Sequence, residues 1–320
     1  MSAPGRAFSV PGNVLLMGEY AVLEEGGLGI ALAVEGRAKV TLLSAPSLSI
    51  RGVWPGGGAL WTRQVRDASP HFQAAAEVVE EWLLETRDAP LPADTGISID
   101  TSAFFDTGGR KSGFGSSAAA TVAAVIALLA AAGLTAEADD LQMLAISAHR
   151  RAQGGLGSGY DVTASLRGGV GVFHGGASPA WEPAALRWAH ALFAFSGSRA
   201  VVTAGSVRRY ADWKTRNTGA ARDFLAASNA AVRSFLSAAS EREASRSFAQ
   251  AGRLGLDLGD AIGVPASLEV PAGLDPSWCK ALGAGNEMGV CLLPEGALEP
   301  DVVGEARRIV VAQAGVLWEE

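Results

Sequence analysis

The stretch KSGFGSSAAATVAAVIALLAAAG, Lys111 to Gly133, decides how this chain is read. Gly113 and Gly115 let a backbone turn without a Cβ clash and come close to an anion. Behind them, the apolar run from Ala118 to Ala132 predicts a close-packed core helix that begins at Ser116 or Ser117 and ends at Gly133. The run is shorter than a membrane span. A helix start offers unpaired N–H groups and the positive end of the helix dipole, so loop and helix together suit a phosphate. Ser116 and Ser117 either cap the helix or present a hydroxyl to a phosphate or to Mg²⁺. Lys111, just upstream, is placed to neutralise phosphate charge. The same spacing also serves an ordinary glycine turn with a serine cap, and local physics leaves both open.

Two other glycine motifs fail here. A Walker A loop requires GxxxxGK[ST], and GGRKSG does not place glycine before lysine. Gly113, Gly115 and Ala118 match a dinucleotide fingerprint letter for letter. That fingerprint needs a second strand after its helix, however, and TAEADDLQML instead predicts a second helix, capped at Thr135 and running to about Gln153.

Working outward, Phe8–Val10 and Ile30–Leu43 read as strands, joined by the glycine-punctuated stretch 11–29. Val53–Ala59 reads as a hairpin tip, His71–Leu84 as an amphipathic helix and Gly96–Thr101 as a strand. After GGLGSGYD come a helix closing at Gly168 and Gly169 and a strand at 170–173. Composition turns to Gly, Pro, Ser and Trp near 175–187, which places a domain boundary there. Beyond it the pattern predicts a strand at 189–195, helices from about Arg222 to Arg253, a strand at 289–293 and a last helix at 299–312.

With 320 residues, 48% hydrophobic and 18% charged, the chain is long enough for two domains with a sizeable core. A net charge of −7 argues against nucleic acid as the main partner. Cys279 and Cys291 are too few for a disulfide scaffold, and the four histidines show no metal-ligand spacing. The N-terminus lacks a signal-peptide apolar region, so the expectation is a cytoplasmic protein without a membrane role. Oligomeric state is not readable.

Three separated motifs resemble the GHMP kinase superfamily. They are Pro11-Gly-Asn-Val-Leu-Leu-Met-Gly-Glu-Tyr-Ala-Val22, the loop Lys111–Ala119, and Leu282-Gly-Ala-Gly-Asn286. Gly18-Glu19-Tyr20, the segment 153–162 and the segment 195–203 are most similar to phosphomevalonate kinases. The resemblance implies an α+β fold with a ribosomal-S5-like N-terminal, nucleotide-binding domain (1–183) and a ferredoxin-like C-terminal, acceptor-closing domain (184–320). It implies ATP and Mg²⁺ as cofactors, and phosphorylation of 5-phosphomevalonate or a related small acid, with mevalonate or a sugar as alternative acceptors.

The residue roles follow from the same resemblance. Asp161 matches the catalytic aspartate, with Lys111 beside it. Lys111, Gly113, Phe114, Gly115, Ser116 and Ser117 would bind nucleotide. Asn13, Tyr20, Ser158, Gly159, Arg199, Lys280, Gly283, Ala284 and Gly285 would line the acceptor, and Ser117 and Glu19 would meet the metal. From the residues alone, Asp161 also reads as a helix N-cap after glycines. Asn13 departs from the pattern, standing where these kinases usually carry a lysine. A catalytically silent relative therefore stays open as a reading.

Overall fold

The computed structural model describes residues 5–65, 69–189, 191–197, 203–283, 285–294 and 306–319. In chain order the strands and helices are β1 (Ala7–Met17), β2 (Leu28–Ser44), β3 (Ser49–Trp54), β4 (Gly57–Thr62), α1 (Pro70–Arg87), β5 (Thr95–Asp100), α2 (Ser116–Ala131), α3 (Ala138–Ala152) and α4 (Tyr160–Arg167). They continue as β6 (Val170–His174), β7 (Ala180–Pro183), β8 (Ala191–Ser196), α5 (Thr203–Arg216), α6 (Thr218–Ser237), α7 (Glu241–Ile262), β9 (Cys279–Ala281), β10 (Met288–Leu293), β11 (Ala306–Ile309) and β12 (Leu317–Trp318). The fold is α+β, as expected. Contacts group the residues into two compact units that are not consecutive stretches. Unit 1 holds 1–13, 33–169 and 312–320, and unit 2 holds 14–32 and 170–311.

In unit 1 the strands follow the order β12-β1-β2-β5-β3-β4. The pairs β1–β12, β2–β5 and β3–β4 are antiparallel, and β3 runs parallel to β5. The helices α1 to α4 pack on one another, and α2 also packs on β5. From Ala118 on, nearly every side chain of α2 is buried. A helix apolar all round has to be enclosed, and its alanines let neighbouring helices approach closely. Helix α1 starts where chemistry dictates: Ser69 accepts from the Phe72 N–H, and Pro70 opens the first turn.

In unit 2 the first residues of β2, Leu28 to Leu32, pair with β6, which pairs in turn with β7. A separate antiparallel sheet has the order β11-β8-β10-β9, and α7 packs against α5, α6 and β9.

Three expectations change. The stretch after Val10 is not a loop, because β1 continues through Pro11, Gly12 and Asn13 to Met17. Gly12 serves close approach rather than a turn: a Cβ there would lie 2.5 Å from the Phe114 carbonyl oxygen. The helix after Leu134 starts at Ala138 with Glu137 at its cap position, not Thr135. Where a helix was expected over 299–312, residues 306–309 form strand β11, with Ala306 opposite Phe195 and Ile309 opposite Leu192. An available edge on β8, with its backbone groups to satisfy, outweighs a weak helical pattern. Residues 299–305 of that stretch lie outside the described residues. The sequence reading also passed over α5, whose residues pack against α6 and α7.

Candidate functional site

The predicted residues fall into two groups, one in each unit. In unit 1, Gly115 stands at the cap position of α2 with φ +67°, and Gly113 has φ +77°. Both are values that favour glycine. Helix α2 begins at Ser116 itself, so neither serine is the cap, and no side chain caps the helix. Its first bond back to the loop is Ala119 N–H to Gly115 O, 3.1 Å. The N–H groups of Ser116, Ser117 and Ala118 precede that bond and are left for another acceptor.

The loop is held from behind. Ser112 N–H donates to Phe104 O at 2.8 Å, and Lys111 makes a β-bridge with Phe105. The Phe114 side chain is buried, and the Phe114 carbonyl accepts from Asn13 N–H at 3.1 Å. Asn13 itself is buried. Its Nδ2 donates to Ser165 Oγ at 3.0 Å and approaches Gly115 O at 3.4 Å. Asn13 thus ties β1, the glycine loop and α4 together. Ser165 had not been singled out in the sequence. Lys111 is exposed.

Asp161 lies in the first turn of α4, behind Gly159 at the cap position (φ +92°). It is therefore not the N-cap, although its charge sits at the favourable end of the helix dipole. Its Oδ1 accepts from Val162 N–H at 2.9 Å, and its Oδ2 lies 3.5 Å from His149 Nδ1. The preceding loop is pinned by Arg150, whose Nε donates to Gly157 O at 2.9 Å and whose Nη2 donates to Ser158 O at 2.8 Å. Ser158 and Gly159 are thereby held in place. The role of Arg150 was missed. The available signal was a pair of arginines on the last turn of a helix running into GGLGSG.

In unit 2, Glu19, Tyr20, Lys280, Gly283 and Gly285 line one small cavity of about 20 Å³, together with Gly252, Gly255 and Gly259 of α7. That is room for about one water molecule. Lys280, expected at the acceptor, is 5% exposed, and its Nζ donates to Glu19, to Leu16 O at 3.0 Å and to Ala281 O. An ammonium has three donors, so all are engaged inside the unit. The Glu19 carboxylate, expected at a metal, instead holds this lysine. Burial pushes the Glu19 carboxyl up, against the downward pull of Lys280. Tyr20 has φ +62°, a sparsely populated conformation for a side chain of its size, and packs on Tyr210 with ring centroids 5.2 Å apart. Burial raises the Tyr20 phenol to about 12, against a hydrogen bond with Ser206. Arg199 and Ala284 lie outside the described residues.

Residues 72–169 match the GHMP kinases N terminal domain. This segment is similar to the N-terminal domain of the GHMP kinases. The matched segment holds α1 to α4, the glycine loop and Asp161. A phosphomevalonate kinase from Streptomyces sp. (strain CL190) is 33% identical over 179 residues, covering 50% of this chain and 46% of that one. A mevalonate kinase from Aeropyrum pernix is 31% identical over 176 residues, covering 53% and 51%. The chain thus spans about half the length of the curated relatives it matches. Among solved structures, a Lin0012 protein from Listeria innocua matches with TM-score 0.83 and 20% identity, over 98% of this chain and 99% of that one. Streptococcus pneumoniae phosphomevalonate kinase in complex with phosphomevalonate and AMPPNP matches with TM-score 0.67 and 17% identity, over 91% and 92%. These likenesses give the GHMP kinase fold.

Among the described residues no group of three or more His, Cys, Asp or Glu side chains is arranged to hold a metal ion. Nor is any helix there long and apolar enough to cross a membrane.

Proposed function

We propose that this chain is an ATP-dependent small-molecule kinase of the mevalonate pathway that phosphorylates 5-phosphomevalonate to 5-diphosphomevalonate in the cytoplasm. The observation that carries the reading is the uncapped start of α2 behind two left-handed glycines, in the same unit as a carboxylate at the start of α4. In this reading the triphosphate rests on the N–H groups of Ser116 to Ala118, with Lys111 adding positive charge. The attacking phosphate oxygen of the acceptor forms the new P–O bond as the bond from the γ-phosphorus to ADP breaks. Asp161 orients that oxygen and takes any proton it carries. Residues 1–183 would then be the nucleotide-binding domain and 184–320 the acceptor-closing domain.

Magnesium fits this reading with few protein ligands. It keeps several waters and is bound mainly by substrate phosphates. The Ser117 hydroxyl, in the first turn of α2, would hold it there, and when bound it neutralises phosphate charge. Glu19 is committed to Lys280 and is not assigned to it.

Likeness to both kinds of curated relative leaves mevalonate as the runner-up acceptor. A silent relative is the second reading, because the Asn13 amide is already spent on Ser165 and Gly115 and brings no positive charge. ATP consumption measured with phosphomevalonate, mevalonate and sugars separates them. Turnover is expected with phosphomevalonate, lost in Asp161→Asn while binding of a nucleotide analogue persists. Binding without turnover on any acceptor would make the chain a silent relative.

A further inference from the structure

The carboxylate proposed to orient the acceptor has a partner that the family resemblance did not supply. Oδ1 of Asp161 is fixed by the Val162 N–H, and Oδ2 faces Nδ1 of His149. His149 lies on the last turn of α3 and is 3% exposed. Its other ring nitrogen, Nε2, is 3.2 Å from Gln153 Nε2. An amide nitrogen only donates, so this contact makes Nε2 the acceptor and leaves the ring proton on Nδ1, toward Asp161.

The ring's other neighbours come from α1, α3 and the glycine loop. His71 of α1 lies against it, with ring centroids 5.5 Å apart. Burial above all, and then His149, pushes His71 down to about 4, so the neighbouring ring is uncharged near neutral pH. The nearby fixed cation is Arg150, whose guanidinium is bonded to the Gly157 and Ser158 carbonyls while its charge acts on Asp161. Lys111 acts on the same cluster from the glycine loop.

We propose that His149 is a positioning residue for the reaction. Its Nδ1–H faces Oδ2 of Asp161 at 3.5 Å while the Val162 N–H bonds to Oδ1, so the plane of the carboxylate is biased before an acceptor arrives. This rests on the kinase reading above, in which Asp161 meets the attacking oxygen. A buried histidine with polar neighbours is more often a packing element, so the test must separate orientation from stability.

His149→Leu removes the donor, whereas His149→Asn returns an amide N–H near the position of Nδ1. His149→Leu is expected to lower kcat about 100-fold with KM for ATP unchanged. His149→Asn should recover most of that loss. Equal losses in both variants would make His149 a packing residue.

A second measurement needs no turnover. Only four histidines are present, so a long-range ¹H–¹⁵N spectrum of the folded chain resolves each ring. His149 is expected as the Nδ1–H tautomer, shifted by Asp161→Asn. An Nε2–H ring, or one indifferent to Asp161, would overturn the assignment whatever the activity. An intact Nδ1–H signature in a protein that turns over no acceptor would instead sink the kinase reading.

Discussion

Asn13 is where a single side chain decides most. In the family pattern that position carries a lysine, and here a buried amide takes its place and is put to structural use. Its Nδ2 bonds to Ser165 Oγ, and Ser165 is itself wholly buried. Removing the amide leaves that hydroxyl without its donor in a dry site and opens a gap beside Gly115. Asn13→Ala is expected to cost about 1–3 kcal/mol of stability, read as a lower urea midpoint with unchanged slope. An unchanged midpoint would mean that the amide contributes nothing to holding the loop.

Among the elements, α2 and its loop bear the candidate phosphate site. Gly115 is required twice over. Its φ is +67°, and a Cβ there would sit 2.1 Å from Asn13 Nδ2. Gly115→Ala therefore strains the backbone and drives β1 and the loop apart. It is expected to weaken binding of a nucleotide analogue at least about tenfold, equivalent to about 1.4 kcal/mol, measured by titration calorimetry. Full affinity would show that the phosphates do not rest there.

Element boundaries show how far pattern reading reaches. Helices α1 and α2 were legible because a cap, a proline or a glycine sits at a fixed offset from a continuous apolar periodicity. Strand β1 was cut short because Gly12 looks like a turn in one dimension. Only the closeness of the Phe114 carbonyl explains a glycine within a strand. Strand β11 was misread because its partner, β8, lies more than a hundred residues earlier.

For the whole molecule, two buried groups in different units give stability opposite slopes with pH. His71 is held at about 4, below its ordinary 6.5. The unfolded chain therefore takes up this proton first as pH falls, and the stability contributed at neutral pH is lost on the way down through the folded value. The loss is at most about 3.4 kcal/mol. Glu19 is displaced upward, so its contribution is present in acid and lost as pH rises. His71→Phe keeps a ring against His149 and discards an Nε2 that has no hydrogen-bond partner. Denaturation at pH 7 and pH 5 should then show near-equal stability at pH 7 and a smaller acid loss in the variant. An identical acid loss would clear His71 of that role.

The sequence by itself determined the α+β class, the glycine cradle at the head of an apolar helix, the carboxylate behind a second glycine loop and the family they resemble. All of these are local spacings, and spacing is what a chain writes directly into its own order. The tertiary structure decided the partners: Lys280 with Glu19 across 261 positions, Asn13 with Ser165 across 152, and His149 with Asp161. A buried polar group must be satisfied by whatever the fold brings beside it, and no local propensity specifies a neighbour that arrives only when distant segments pack.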